Sequence, residues 1–91
     1  MPYIPLKSRG RFSLGLSFLL GAMLELSPEA QYGAVNFLIL RLVEMVFQPK
    51  TYVEHQNVVG LLECVKQEYV RRRLAPYEDR KCAENGDIYE A

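Results

Sequence analysis

The residues best suited to hold a ligand cluster in the last third of the chain, where Arg71, Arg72 and Arg73 lie among tyrosines. A guanidinium can bind a phosphate or carboxylate through two parallel hydrogen bonds, and a neighbouring aromatic ring can stack on a base. Consecutive helical residues point about 100° apart, so at most two of these arginines can face one ligand. The pattern favours a small anionic ligand such as a nucleotide. The candidate ligand-binding residues are Tyr3, Tyr69, Arg72, Arg73, Tyr77 and Lys81.

The same residues fit two other interpretations, and the sequence leaves both open. Carboxylates at Glu68, Glu78 and Asp79 could pair with the arginines on a solvated helix face. Tyrosine and arginine are also enriched in subunit interfaces. In that case the protein would be a structural or protein–protein interaction module.

Residues that could catalyse a reaction or bind a metal form no recognisable motif. His55 has no serine or cysteine nucleophile at a familiar spacing, and Cys64 and Cys82 lack the spacing of metal ligands. The carboxylates near the C-terminus lack the spacing of a calcium loop and are interrupted by Arg80 and Lys81. We therefore expect a binding protein rather than an enzyme, with no metal and no cofactor. A metal-dependent hydrolase that uses those carboxylates is a remote alternative.

The composition is typical of a small globular protein. The chain has 91 residues, of which 49% are hydrophobic, and its 11 basic and 11 acidic side chains give zero formal net charge. This length suits one helical domain, residues 1–91, and the balanced charge argues against general nucleic-acid binding. Two cysteines far apart in sequence are typical of reduced thiols, with Cys64 partly buried and Cys82 exposed, which indicates a cytoplasmic protein.

Two apolar stretches raise the question of a membrane. Residues 12–26 follow basic side chains, as in a signal peptide, but Glu25 interrupts them and the Ser27-Pro28-Glu29 sequence suits a helix start better than a cleavage site. Arg41 and Glu44 interrupt the second stretch before it reaches the roughly 20 residues of a membrane span. We therefore expect no membrane association.

Apolar periodicity and the positions of proline and glycine predict an all-α fold, a small bundle of three to four helices with extended termini. Residues 1–8 should be extended because they contain two prolines. The first helix should span residues 12–26. The second should span residues 28–47, with Ser27 as its N-cap.

The third helix should begin within residues 51–54. Apolar side chains at three- and four-residue steps should form its buried stripe: Val58, Leu61, Leu62, Val65 and Tyr69. The Ala75-Pro76 pair should end or bend this helix. A short fourth helix over residues 76–84 should stop at Asn85-Gly86, where glycine allows a left-handed backbone. Apolar residues 88–89 should anchor the tail.

The second helix is apolar on almost every side over residues 35–47, where only Asn36, Arg41 and Glu44 are polar. A helix that is apolar all round is normally surrounded by protein. A domain this small has too few other elements to cover it. We therefore expect a homodimer or higher oligomer that uses this helix.

Motifs at the two ends resemble those of a family of small, functionally unassigned proteins from phages, prophages and some bacteria. The chain starts with MPYI, and residues 77–89 read YEDRKCAENGDIY, which is close to the family pattern YEDxKxxENGDVY. Ile88 stands where valine is usual. The sequence LECVK, which begins at Leu62, and the Glu68-Tyr69 and Arg71-Arg72 pairs also match. Residues 12–47 match only as generic helix.

The resemblance implies a phage-encoded accessory protein in the cytoplasm of the host cell, with no established activity. Small phage proteins often act by binding, for instance by sequestering a host signalling nucleotide or by blocking a host protein. Together with the arginines and tyrosines, this favours a non-enzymatic protein that holds a small anionic ligand at a subunit interface. The alternative is an interaction module that blocks a host protein and whose terminal motifs serve assembly only.

Overall fold

The computed structural model describes residues 3–89, and every regular element in that range is helical. The prediction of an all-α fold is therefore confirmed. Met1 and Pro2, which belong to the predicted extended start and to the MPYI motif, lie outside the described residues, as do Glu90 and Ala91.

Two short 3-10 turns within residues 6–12 precede the main helices, so the predicted extended start contains a turn. The helical elements that follow are α1 (Ser13–Leu24), α2 (Pro28–Phe47), α3 (Tyr52–Tyr69), a π-helical turn (Val70–Leu74) and α4 (Ala75–Asn85). α1 ends before residue 26 because the backbone N–H of Leu26 donates to the Met23 carbonyl at 3.0 Å and tightens the last turn. α2 has the predicted bounds.

Two N-terminal caps set where α2 and α3 begin. The Ser27 hydroxyl accepts a hydrogen bond from the Ala30 N–H at 3.3 Å, as the sequence predicts. Thr51 and Glu54 form a capping box, in which the Thr51 hydroxyl accepts from the Glu54 N–H at 3.2 Å. The Glu54 carboxylate accepts in return from the Thr51 N–H at 3.0 Å. These bonds to its charged form lower the pKa of Glu54.

The end of α2 uses a residue that the sequence does not single out. Gln48 adopts a left-handed conformation with φ 42°, and its N–H donates to the Glu44 carbonyl at 3.0 Å. A glycine is the usual residue for such a cap, and glutamine is strained there. Pro49 follows and prevents the helix from continuing.

Pro76 does not break the helix, because the backbone widens before it. Pro76 has no N–H, and its ring would collide with the carbonyl of Arg72 in a regular α-helix. The N–H of Ala75 instead donates to the carbonyl of Val70, five residues earlier, and residues 70–74 form a π-helical turn. α3 and α4 are therefore joined without an intervening loop. The fourth helix nevertheless lies close to its predicted bounds.

The helices do not close over a core within one chain. None of residues 3–89 is buried, and the radius of gyration is 17.4 Å. A compact chain of 91 residues would have a radius of gyration of about 12 Å. The prediction of a buried stripe on α3 is therefore wrong for the single chain, since Val65 is 58% and Tyr69 66% exposed. The bundle that the sequence predicts has no interior in one copy.

Two further expectations about the described residues need correction. Ile88 and Tyr89 are exposed rather than anchored, because the chain turns away at Gly86, whose φ is 94°. By length and composition α2 is apolar enough to cross a membrane, whereas the sequence argument excluded a span on length. Arg41 and Glu44 remain inside it as interruptions.

Candidate functional site

Residues 3–12, which precede α1, form the N-terminal segment. A cleft of about 640 Å³ lies between this segment and the C-terminal part of α3 with the π-helical turn. Its polar lining consists of Tyr3, Arg9, Glu68, Tyr69, Arg72 and Arg73. Leu61, Cys64 and Val65 supply the apolar part. We call this the arginine–tyrosine cleft. Its volume falls within the range of about 300–1,000 Å³ that is usual for small-molecule sites.

The two sides of the cleft are joined by a contact between residues far apart in sequence. The Tyr3 hydroxyl donates a hydrogen bond to the Glu68 carboxylate, which also accepts from Arg71 at 2.8 Å. The Tyr3 bond and the Arg71 guanidinium lower the pKa of Glu68. The same bond raises the pKa of Tyr3, because ionisation would remove the donor and place two negative charges together. The N-terminal segment is thereby held against α3.

The arginines of the cleft differ in how far they are neutralised. Arg72 lies 3.9 Å from a Glu68 oxygen, at the limit of an ion pair. Arg9 donates through Nε to the Ile4 carbonyl at 3.2 Å, which fixes its position without neutralising its charge. Within residues 3–89, Arg73 forms no ion pair. Three guanidinium groups therefore share the cleft with one carboxylate, which Arg71 also contacts from outside the lining.

The π-helical turn affects where the arginines point. All three consecutive arginines lie in it. A π-helix has more residues per turn than an α-helix, so neighbouring side chains diverge by less than the usual 100° or so. Arg72 and Arg73 both line the cleft, whereas Arg71 contacts Glu68. Single π-helical turns occur frequently at functional sites.

The structure brings together some of the residues that the sequence nominates and separates others. Tyr3, Tyr69, Arg72 and Arg73 line one cleft. Tyr77 and Lys81 are not among its lining residues. They lie on α4, where the Lys81 ammonium is 5.7 Å from the centre of the Tyr77 ring, a cation–π distance.

The charged side chains near Tyr77 find partners within α4, and we call them the Tyr77 group. Arg80 lies 5.9 Å from the centre of the Tyr77 ring, and Lys81 pairs with Glu84 at 3.2 Å. The sequence also allowed the arginines to pair with Glu68, Glu78 and Asp79. Of these three carboxylates, Glu68 does so, since it contacts Arg71 and Arg72. The ion pairs of the described residues do not include Glu78 or Asp79.

Arg9 and Glu68 are cleft residues that the sequence argument did not place in the site. Arg9 is one of several basic residues near the N-terminus and has no local pattern that sets it apart. Glu68 precedes a tyrosine and three arginines, which is a usable signal for an ion pair. Its contact with Tyr3 spans 65 positions and could not be read from local spacing.

The cysteines are free thiols, but their exposure is the reverse of the expectation. Cys64 is exposed and lines the cleft. Cys82 is half-buried on α4. Within residues 3–89, no group of three or more His, Cys, Asp or Glu side chains is placed to hold a metal ion.

Comparison with known proteins gives a family for this chain. A family model described as a domain of unknown function (DUF6899) matches residues 1–88. The chain belongs to the DUF6899 family. No curated protein and no solved structure matches it. Membership agrees with the resemblance to a functionally unassigned family but assigns no activity to the DUF6899 chain.

Proposed function

We propose that this DUF6899 protein is a non-enzymatic accessory binding protein that sequesters a small anionic ligand, such as a signalling nucleotide, in the arginine–tyrosine cleft. The observation that carries the proposal is the meeting of Arg9, Arg72 and Arg73 with Tyr3 and Tyr69 around one cavity. The resemblance of its terminal motifs to phage proteins supports a phage-type role in the cytoplasm of a host cell.

The chemistry of the cleft suits a phosphorylated aromatic ligand. The guanidinium of Arg73 can donate two hydrogen bonds to one phosphate, and Arg72 lies beside it in sequence and lines the same cavity. Tyr69 offers a ring on which a base can stack, and this residue is 66% exposed. Stacking on an exposed ring would remove apolar surface from water and add to the affinity.

The carboxylate of the cleft is poorly suited to proton transfer, which supports binding without turnover. A general base works best when its pKa lies near the working pH. The hydrogen bond from Tyr3 and the charge of Arg71 instead lower the pKa of Glu68. Glu68 is more suitable for holding the N-terminal segment in place than for removing a proton from a ligand.

Thermal-shift measurements with nucleotides test the proposal directly. The probes are linear and cyclic nucleotides together with inorganic phosphate, each at about one hundred times a micromolar Kd, where a ligand of that affinity adds about 2.7 kcal/mol of stability. Arg73→Ala should abolish the shift of a binding nucleotide. Arg80→Ala is the matched control, because Arg80 is also on the helical C-terminal third but belongs to the Tyr77 group.

The outcomes separate ligand classes. A shift with nucleotides but not with phosphate identifies stacking on the tyrosines as necessary. A shift with phosphate alone reduces the site to an anion site. The proposal fails if no probe stabilises the protein, or if Arg73→Ala retains a shift that Arg80→Ala also retains.

The second candidate function is an interaction module that blocks a host protein. The observation that favours it is the large exposed apolar surface of α1 and α2. In that case the terminal contacts, including the one between Tyr3 and Glu68, serve only to assemble the chain. Ligand binding that depends on Arg73 would favour the cleft over this candidate.

A further inference from the structure

We propose that a second copy of this chain covers α1 and residues 35–47 of α2, with Arg41 of each copy facing Glu44 of the other. We call these two segments the α1–α2 apolar surface. None of the residues that line the arginine–tyrosine cleft lies in α1 or α2, so substitutions in these two helices leave the lining of the cleft unchanged. Each proposal can therefore fail without the other.

The accessible area of the chain is larger than that of a folded monomer of its mass. The single chain exposes 8588 Å². A folded monomer of its mass, 10.5 kDa, exposes about 5,400 Å², so the chain carries about 3,200 Å² in excess. Two such chains together would need to bury about 6,400 Å², which falls in the class of obligate homodimers, whose interfaces bury 2,000 to more than 5,000 Å². A smaller, transient partner would leave most of this excess uncovered.

The apolar side chains of α1 and α2 carry a large part of this exposed area. α1 contains no charged residue, so no face of it is suited to water. Large apolar side chains on both helices are more than half exposed, including Leu14, Phe18, Leu24, Phe37, Leu42 and Met45. A cavity of about 380 Å³ at the junction of α2 and α3, lined by Phe47, Val58 and Leu61 among others, continues this surface. Its size suits the insertion of side chains from another copy.

The two charges of this part of α2 favour a second copy of the chain as the partner. Arg41 and Glu44 are three residues apart, so they lie on neighbouring positions of α2. Both are exposed, and neither forms an ion pair within residues 3–89. In a two-fold symmetric interface, if residue i of one copy contacts residue j of the other copy, then residue j of the first copy also contacts residue i of the second. A face that carries one positive and one negative group is complementary to itself when α2 crosses its copy in antiparallel fashion.

A membrane is a poorer occupant of the same surface. α2 is long enough to span a bilayer, but Arg41 and Glu44 would then lie in the apolar layer, where each charge is costly. α1 has 12 residues and a length of about 18 Å, short of the roughly 30 Å that a span requires. A second copy offers both charges a partner and covers both helices at once.

Mixing charge variants tests the proposed pairing. Arg41→Glu gives its chain two negative charges on this face, and Glu44→Arg gives its chain two positive charges. Each variant alone should dimerise at least about tenfold more weakly than the natural chain, because like charges would meet. An equimolar mixture should form the mixed dimer in preference, which native mass spectrometry measures as a mixed fraction well above the half expected from random exchange.

The matched control uses an ion pair with the same spacing on α3. Lys66 lies 3.2 Å from Glu63 in the same chain. Chains carrying Glu63→Lys and Lys66→Glu should exchange at random, because their pair lies within one copy. This control removes the explanation that the variants act only through the stability of their own helix.

Three results would overturn the proposal. One is a natural chain that sediments at 10.5 kDa at micromolar concentration while circular dichroism shows it to be helical. Another is random exchange of the two α2 variants, which would remove the Arg41–Glu44 contact. The third is a monomer that binds neutral phosphatidylcholine vesicles through α2, which would identify the membrane as the occupant.

Discussion

The two halves of this chain use their surfaces in opposite ways. α3, the π-helical turn and α4 carry a network of ion pairs, caps and cation–π contacts, and the N-terminal segment is hydrogen-bonded to them. α1 and α2 carry large apolar side chains that meet little within the chain. Neither half closes a core within one copy, but α1 and α2 expose more large apolar side chains than the C-terminal half does. The two proposals, ligand binding and self-association, therefore rest on separate parts of the chain.

The largest expected effect comes from placing a charge on the α1–α2 apolar surface. Leu42 is 64% exposed in the single chain, so a monomer would tolerate Leu42→Lys within about 0.5 kcal/mol. If a second copy covers Leu42, the lysine becomes buried without a partner and costs about 3 kcal/mol or more. Chemical denaturation at constant protein concentration measures the difference.

Val59→Lys on α3 is the matched control for this substitution. Val59 is 65% exposed, nearly the same as Leu42, but lies outside the α1–α2 apolar surface. We expect a change within about 0.5 kcal/mol. Equal losses of stability in Leu42→Lys and Val59→Lys would mean that a second copy does not cover Leu42 any more than it covers Val59.

A smaller effect is expected from the capping box that begins α3. Thr51→Ala removes the hydroxyl that accepts from the Glu54 N–H, and loss of an N-cap costs about 1 kcal/mol. Thr51→Ser retains the hydroxyl and should cost much less. Urea unfolding followed by circular dichroism measures both. A neutral Thr51→Ala would show that the cap does not set the start of α3.

The smallest effect concerns the contact between Tyr3 and Glu68. The pKa of Glu68 is lowered by the contact. The stability that Glu68 contributes is therefore fully present above about pH 4.3, the ordinary pKa of a glutamate, and is lost as the pH falls through its lower pKa in the folded chain. The pKa of Tyr3 is raised by the same contact. The stability that Tyr3 contributes is therefore fully present below about pH 10, the ordinary pKa of a tyrosine, and is lost as the pH rises through its higher pKa in the folded chain. The N-terminal segment should be held best between these limits.

Hydrogen exchange of the N-terminal segment measures this contact. Glu68→Gln at neutral pH should speed exchange of residues 6–12 by about two- to fivefold, since exposed contacts of this kind are weak. Glu63→Gln is the control, because Glu63 has similar partners in Gln67 and Lys66 but none in the N-terminal segment. Equal exchange in both variants would contradict the role of Glu68 in holding the segment.

The fold could be predicted from sequence wherever local chemistry decided it. Ser27 and Pro28 set the start of α2 by a cap and a fixed backbone angle, and both are visible as residue types. Gln48 could not be predicted as a left-handed cap, since glycine is the usual residue there. The π-helical turn follows from Pro76, whose ring and missing N–H disturb the preceding turn, but the sequence alone allowed a break or a bend equally well.

The candidate site was predictable in part for the same reason. Tyr69, Arg72 and Arg73 are close in sequence, so their meeting follows from helix geometry. The contributions of Tyr3 and Arg9 depend on how the N-terminal segment folds back, which no local pattern encodes. The predicted buried stripe on α3 failed because periodicity shows which face is apolar and does not show whether the same chain covers it.

The central claim is that the apolar half of the chain is complete only in the presence of a second copy. Its most direct test is the concentration dependence of thermal unfolding, followed by circular dichroism. A hundredfold increase in protein concentration adds about 2.7 kcal/mol to a dimer that unfolds with dissociation, which raises the Tm by about 5–10 °C. We predict such a rise for the natural chain. An unchanged Tm across that range, with helicity retained, would contradict the claim.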